Sequence, residues 1–307
     1  MQNKTRLPLL LVLVIGMAQV AIASPNADVA IIEQFRQLRK NTNWEEADTR
    51  PVQFRTYHPQ GMAAVADRFF LSSVEVINRA AEEGVGHLFE LDRDGALLRH
   101  ITLGEDALYH PGGIDYDGTH IWAPVAAYRP DSATIMYTVD PDTMESREVF
   151  RFDDHLGAVT HLPNKNMLLA VSWGARRFYR WNTTREDGCW TVLEPSAPDM
   201  QYNVSHYVDY QDMQWIPGTS YVICSGVQTY RIPGTRLPAF RLGGLELIDA
   251  TDLRIHHQVP VPLRHPAAPA WTQNPFLVES DAAGLRFFFI PEDDESHIHI
   301  FEPTLQP

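Results

Sequence analysis

His58-Pro59-Gln60-Gly61, His110-Pro111-Gly112-Gly113 and His155-Leu156-Gly157-Ala158 each stand at the head of a β-type stretch. Gln211-Asp212-Met213-Gln214 and Gln273-Asn274-Pro275 hold the equivalent places further along. The openings recur at intervals of roughly 45–62 residues, near the ~40–50 of propeller blades. Each is followed by short apolar runs broken by turns. In the first unit, residues 68–74 lead to 87–91, then Asp92-Arg93-Asp94-Gly95, then 97–103. An Asp-Gly pair between two alternating runs is a hairpin signal. Residues 120–124, 134–139 and 147–152 repeat this grammar, and three further units follow it. A two-sheet sandwich would also supply many short strands, but it does not account for the recurrent His-x-x-Gly or His-x-Gly opening. The reading is an all-β chain forming a single β-propeller of five or six blades. Residues 50–57 either complete the last blade or belong to a sixth.

Working outward, residues 27–40 carry Ile31, Ile32, Phe35 and Leu38 at helical spacing, with Asn26 as N-cap, which predicts one short N-terminal helix. Upstream, Lys4 and Arg6 precede an apolar run to Val20, and Ala21-Ile22-Ala23 supplies the small-x-small pattern of a cleavage site. A membrane anchor is the alternative, but this run is shorter than the ~20 residues a span requires and contains Gly16 and Gln19. The expected layout is therefore a signal peptide over 1–23, a helix and lead-in over 24–50, and the propeller over 51–307. The protein is expected to be secreted, extracellular or periplasmic, with no stable membrane insertion after cleavage.

Thirty-nine acidic against 25 basic residues give a net charge of −14, which argues against nucleic acid and anionic membranes as partners. The chain is read as a monomer with a small-molecule ligand in its central channel. In an oxidising compartment Cys189 and Cys224 either form one disulfide or remain small buried thiols. Asn182-Thr183-Thr184 and Asn203-Val204-Ser205 are glycosylation sequons, used only in a eukaryotic source.

The stretch from Tyr57-His58-Pro59-Gln60-Gly61 through Trp173-Gly174 resembles a secreted family of propeller-like proteins without an established reaction, and the resemblance covers most of the mature chain. More distantly, the blade grammar is similar to the gluconolactonase, strictosidine-synthase and paraoxonase group of six-bladed propellers. That resemblance implies an axial metal site with hydrolytic or cyclising chemistry. The group's axial ligands are Glu, Asn and Asp around calcium, whereas the matching places here carry His.

Innermost propeller strands run along the central channel, where ligands bind. His58, His110 and His155 are thus expected to converge on the axis, joined by Asp212 and Asn274. Such a set suits one divalent metal ion: zinc, iron or manganese by ligand type, calcium by resemblance. The plainer alternative is that these side chains hydrogen-bond neighbouring blades and hold the ring closed. Asp115 is a candidate acceptor for an axial histidine, and His206 a candidate base at the channel mouth. Trp173 and Arg176 are candidates for substrate binding. His161 is read as a hydrogen-bonded structural residue, His256-His257 as solvated, and His297-x-His299 as an exposed pair on the terminal strand. Residues 291–295 form an acidic loop that is read as a solvated turn rather than a loose calcium site, because it lacks the alternating ligand spacing and glycine of an EF-hand.

No G-x-S-x-G, H-E-x-x-H, phosphate-loop or dinucleotide-loop signature is present, and neither cysteine lies in a C-x-x-C motif. Two function classes remain. One is a secreted, metal-assisted enzyme hydrolysing or rearranging a small lactone or ester. The other is a non-catalytic propeller recognising a sugar, peptide or protein.

Overall fold

The computed structural model describes residues 25–236, 238–266, 270–281 and 283–305. The expected signal peptide lies outside the described residues. Five antiparallel sheets follow one another around a ring, which resolves the expectation of five or six blades as five. Blade 1 comprises His58–Val65, Arg68–Asn78, Glu83–Asp92 and Leu97–Leu103. Blade 2 opens with Leu108–Pro111 and Asp115–Tyr116, then Ile121–Ala127, Thr134–Val139 and Ser146–Phe152. Blade 3 comprises Leu156–Leu162, Met167–Ser172 and Arg177–Glu186, the last pairing with both Cys189–Val192 and Asp199–Tyr202. Blade 4 runs through Asp209–Trp215, Tyr221–Tyr230, Phe240–Asp249 and Arg254–Val261.

Blade 5 takes Phe276–Asp281, Gly284–Phe289 and His297–Thr304 from the end of the chain, and its outer strand, Asn43–Pro51, from the beginning. Residues 50–57 were expected either to complete the last blade or to belong to a sixth; the strand that closes blade 5 lies almost wholly before them, within the lead-in. The N-terminal helix spans Pro25–Phe35 rather than 27–40, so Asn26 lies inside its first turn and is not the cap. Its apolar stripe was read correctly: Ile31, Ile32, Phe35 and, just beyond the helix, Leu38 are buried against Phe276, Val278, Phe287 and other residues of blades 4 and 5.

The second strand of each blade reads as a continuous apolar run because both its faces pack against other blades. Ile121–Ala127 is buried at every position, and Phe69, Phe70 and Leu71 are wholly buried. Each such side chain contributes roughly 1.5–3 kcal/mol on leaving water. Outer strands such as Leu97–Leu103 are mostly open to solvent. The Asp92–Gly95 hairpin forms as expected: Asp92 Oδ1 accepts from the Asp94 and Ala96 N–H groups, and Gly95 adopts φ +86°.

The glycines of the first two opening motifs have a steric cause, whereas Gly157 of the third has room for a Cβ. A Cβ on Gly61 would sit 2.4 Å from the Ile114 nitrogen, and one on Gly113 would sit 2.6 Å from Asp212 Oδ1. Only glycine allows the inner strands to approach so closely.

Both cysteines are free: Cys189 is exposed at a blade edge, while Cys224 is wholly buried in blade 4, where burial pushes its thiol pKa up. The disulfide alternative is therefore corrected. Asn182 is exposed, whereas Asn203 is buried.

Candidate functional site at the channel mouth

The inner strands of blades 1–3 begin at one face of the ring, and the opening motifs deliver His58, His110 and His155 to a single cavity there. Its volume is about 360 Å³, and Gln60, Tyr128, Trp173, Asp209, Gln211, Gln228, Thr229, Arg241 and Gln273 complete much of its wall. A larger, shallower depression of about 560 Å³ between Phe54 and His297 lies away from these converging groups.

The aromatic side of the cavity is a packed stack. Tyr128 lies over His110 with centroids 4.0 Å apart, and the Arg79 guanidinium caps Tyr128 at 3.9 Å. Trp173 meets His155 edge-on at 4.7 Å. His110 and His155 have ring centroids 5.4 Å apart. His155 Nδ1 donates to the Ala127 carbonyl at 2.8 Å, which leaves its lone pair on Nε2. Burial lowers the pKa of His155 and, helped by the neighbouring His155 and His58 charges, sets that of His110 well below the usual imidazole value. Both rings are therefore neutral at neutral pH. His110 Nδ1 is buried without a hydrogen-bond partner. His58 Nδ1 pairs with Asp293 Oδ1 at 2.7 Å.

Asp209 is the carboxylate among the lining residues. It accepts from Arg176 Nη2 at 2.9 Å and Gln228 Nε2 at 3.0 Å, and burial outweighs these contacts to raise its pKa. Arg176 also donates to the Gly174 and Ser205 carbonyls and to His206 Nδ1. Of the expected substrate-binding pair, Trp173 lines the cavity, while Arg176 stands behind Asp209 and holds it. His206 is exposed beside Arg176 and does not line the cavity.

Further along the inner strands lies a second tier that ties the ring together. Asp115 of blade 2 accepts from the Thr160 hydroxyl of blade 3 and from the Trp215 N–H of blade 4 at 2.7 Å. Asp212 of blade 4 accepts from the N–H groups of Met62 in blade 1 at 3.0 Å, Met213 at 3.0 Å and Phe276 in blade 5 at 3.4 Å. Two carboxyls thus connect all five blades. Burial raises Asp115 to about 8 and Asp212 well above the usual carboxylate range. Asp115 receives no bond from an axial histidine, the role expected of it. Asn274 is buried and donates to the Pro291 carbonyl at 3.2 Å.

The expected five-residue ligand set is therefore divided. The three histidines share a cavity, whereas Asp212 joins blades and Asn274 is held within blade 5 by the Pro291 carbonyl. Among the described residues, the trios whose ligand atoms lie within 4.8 Å of one another are His265/Glu292/His299 and Asp249/Asp252/His256, neither of them axial. His58 and His155 do have the half-committed rings seen in metal ligands, one nitrogen bonded to an oxygen and the other remaining. His161, as read, is structural: buried, it bridges Asp117 Oδ2 at 2.7 Å and Thr183 at 2.9 Å. Burial would raise Asp117, but the bonds from His161 and Trp122 prevail and bring it to about 2.

Gln211 and Gln273 were passed over for their neighbours Asp212 and Asn274. The ladder of Asp209–Trp215 shifts register between Tyr210 and Asp212, so the unpaired Gln211 joins Asp209 and Tyr210 at the cavity while Asp212 turns to the interior. Tyr128, Asp209, Gln228 and Arg241 carry no motif that could have marked them.

Residues 18–307 match the model of a family of unknown function, DUF6454, and the chain belongs to that family. No curated protein matches it. Among solved structures, a hypothetical protein from Leishmania major aligns with a TM-score of 0.50 at 11% identity, over 84% of this chain and 90% of that one. A GH43 endo-arabinanase from Bacillus licheniformis gives 0.48 at 8% identity, over 82% and 95%. A glycosyl hydrolase from Bacteroides ovatus gives 0.47 at 10%, over 81% and 85%. At such identities the likeness is one of fold.

Proposed function

We propose that this member of DUF6454 binds a small polyhydroxylated molecule at the channel mouth and hydrolyses an ester or lactone bond in it, with His155 as the base that activates water. The observation that carries the reading is the state of His155. Its tautomer is fixed by Ala127, its ring is kept neutral by burial, and its remaining lone pair belongs to a ring lining the cavity. A base needs that protonation state near the working pH. Trp173 offers an apolar face for a sugar-like ring, and Gln60, Gln211, Gln228 and Gln273 offer amides for its hydroxyls. The volume suits a ligand of monosaccharide size, near the lower end of the ~300–1,000 Å³ of small-molecule sites.

A metal-assisted form would place a divalent ion, zinc, iron, manganese or calcium, on His58, His110 and His155 to polarise the carbonyl. It requires those rings to draw together. The non-catalytic reading, a propeller that recognises a sugar, draws support from Asp209. That carboxylate is already held by Arg176 and Gln228 rather than free for proton transfer.

A panel of sugar lactones and esters tests the proposal on wild type and His155→Ala, with binding followed by tryptophan fluorescence. Hydrolysis by the wild type, lowered ~10²–10⁴-fold in kcat by the substitution while binding changes little, is the expected result. Unchanged turnover in His155→Ala refutes the assignment of the base. Binding without turnover in the wild type favours the recognition propeller.

A further inference from the structure

We propose that His265, Glu292 and His299 form a zinc site where the ring closes, separate from the channel-mouth cavity. His265 follows the outer strand of blade 4, Glu292 lies in the loop after Gly284–Phe289, and His299 sits in the strand that pairs with Asn43–Pro51. Glu292 Oε1 is 2.8 Å from His299 Nε2 and 3.2 Å from His265 Nε2. Ligand atoms around a tetrahedral zinc with bonds of ~2.0–2.1 Å lie ~3.3 Å apart, so these groups need shift only by tenths of an ångström for those pairs. Two imidazoles and one carboxylate form a donor set suited to zinc, with a fourth position for water.

A second observation supports the assignment. His299 presents Nε2 to the trio while its Nδ1 lies 2.9 Å from Glu46 Oε1 on the closing strand. A carboxylate behind a histidine fixes the ring's tautomer and raises its basicity as a ligand. Trp271 meets both rings edge-on, His299 at 4.5 Å and His265 at 5.2 Å, and holds their planes. The expected exposed pair on the terminal strand is thus corrected for one member: His299 is buried, while His297 remains open with Nδ1 3.5 Å from Glu292 Oε1.

The site ties the segment after blade 4 to the loop and terminal strand of blade 5. Through Glu46 it engages the strand contributed by the N-terminal part of the chain. Asp293, next to Glu292, holds His58 at the cavity, so a filled site would also steady that loop.

The test uses the untagged mature protein, stripped with chelator, dialysed and titrated with zinc chloride. One equivalent should bind, and Tm should rise ~5 °C at zinc well above Kd. Glu292→Gln and His265→Ala should each lower affinity at least ~10-fold and abolish the Tm shift, while His58→Ala/His110→Ala should retain both. Cobalt substitution supplies an independent readout, since tetrahedral Co²⁺ absorbs strongly in the visible. Failure of the folded wild type to take up zinc, or uptake undiminished in both Glu292→Gln and His265→Ala, would overturn the proposal. Loss of zinc only in the axial double variant would move the metal to the channel.

Discussion

Replacing Asp212 by alanine isolates the bonds that join blades across the axis. The carboxyl is wholly buried and accepts three backbone N–H groups, from Met62, Met213 and Phe276. Alanine leaves all three without an acceptor, in a place where strand crowding excludes a neighbouring side chain from replacing it. An orphaned buried donor costs ~1–3 kcal/mol. The Phe276 contact, at 3.4 Å, belongs at the low end. Against this stands relief from burying a carboxyl whose ionisation burial strongly disfavours. The expected net loss is about 4 kcal/mol, a large share of the ~5–15 kcal/mol by which domains are stable. Asp212→Asn retains one carbonyl oxygen and should lose about half as much. Urea unfolding followed by tryptophan fluorescence measures both, the slopes confirming a common unfolded state. If Asp212→Ala unfolds within about 0.5 kcal/mol of wild type, the carboxyl does not hold the blades and the account of ring closure fails. Should the alanine variant not fold, asparagine carries the test, and a loss as small as that of an exposed substitution would refute the reasoning equally.

Asp115 makes stability depend on pH. Burial lifts its pKa from 3.8 to about 8, so the native state keeps a proton that the unfolded chain releases. The stabilisation is complete below the ordinary carboxylate range and is lost as pH rises to about 8. Asp115→Asn should therefore flatten the fall in stability across that window, by at most ~1.4 kcal/mol per pH unit, in urea midpoints measured at several pH values. An unchanged slope would contradict this. Gly113→Ala drives a Cβ within 2.6 Å of Asp212 Oδ1 and 2.7 Å of the Gln211 carbonyl, and should lower stability by ~1–3 kcal/mol or prevent folding. Soluble expression and thermal melting decide it. Because both cysteines are free, dithiothreitol should leave Tm unchanged, and thiol titration of the unfolded chain should count two.

Much of the fold was legible because its strongest signals are local. Period-two alternation, continuous apolar second strands and the Asp92–Gly95 turn each follow from a few neighbouring residues, and the recurrent opening motif set the blade length. The same motif marked His58, His110 and His155, since a residue at the head of each inner strand must face the channel mouth. The closing strand escaped this reading. Asn43–Pro51 is rich in charge and has no apolar alternation, and its place comes from hydrogen bonds to His297–Thr304 at the other end of the chain.

The sequence by itself determined the all-β class, the blade repeat, the buried stripe of the first helix and the three histidines at the mouth. Only the tertiary structure decided that five blades close the ring and that Cys189 and Cys224 lie apart. It also decided that Asp212 and Asn274 turn inward to bind backbone while Gln211 and Gln273 line the cavity. It gathered His265, Glu292 and His299 from three separate segments. Periodicity is written into neighbouring residues and can be read along the chain. Which carboxyl meets which N–H across an axis depends on strand register and on the crowding of five blades, and that is set only when distant segments pack.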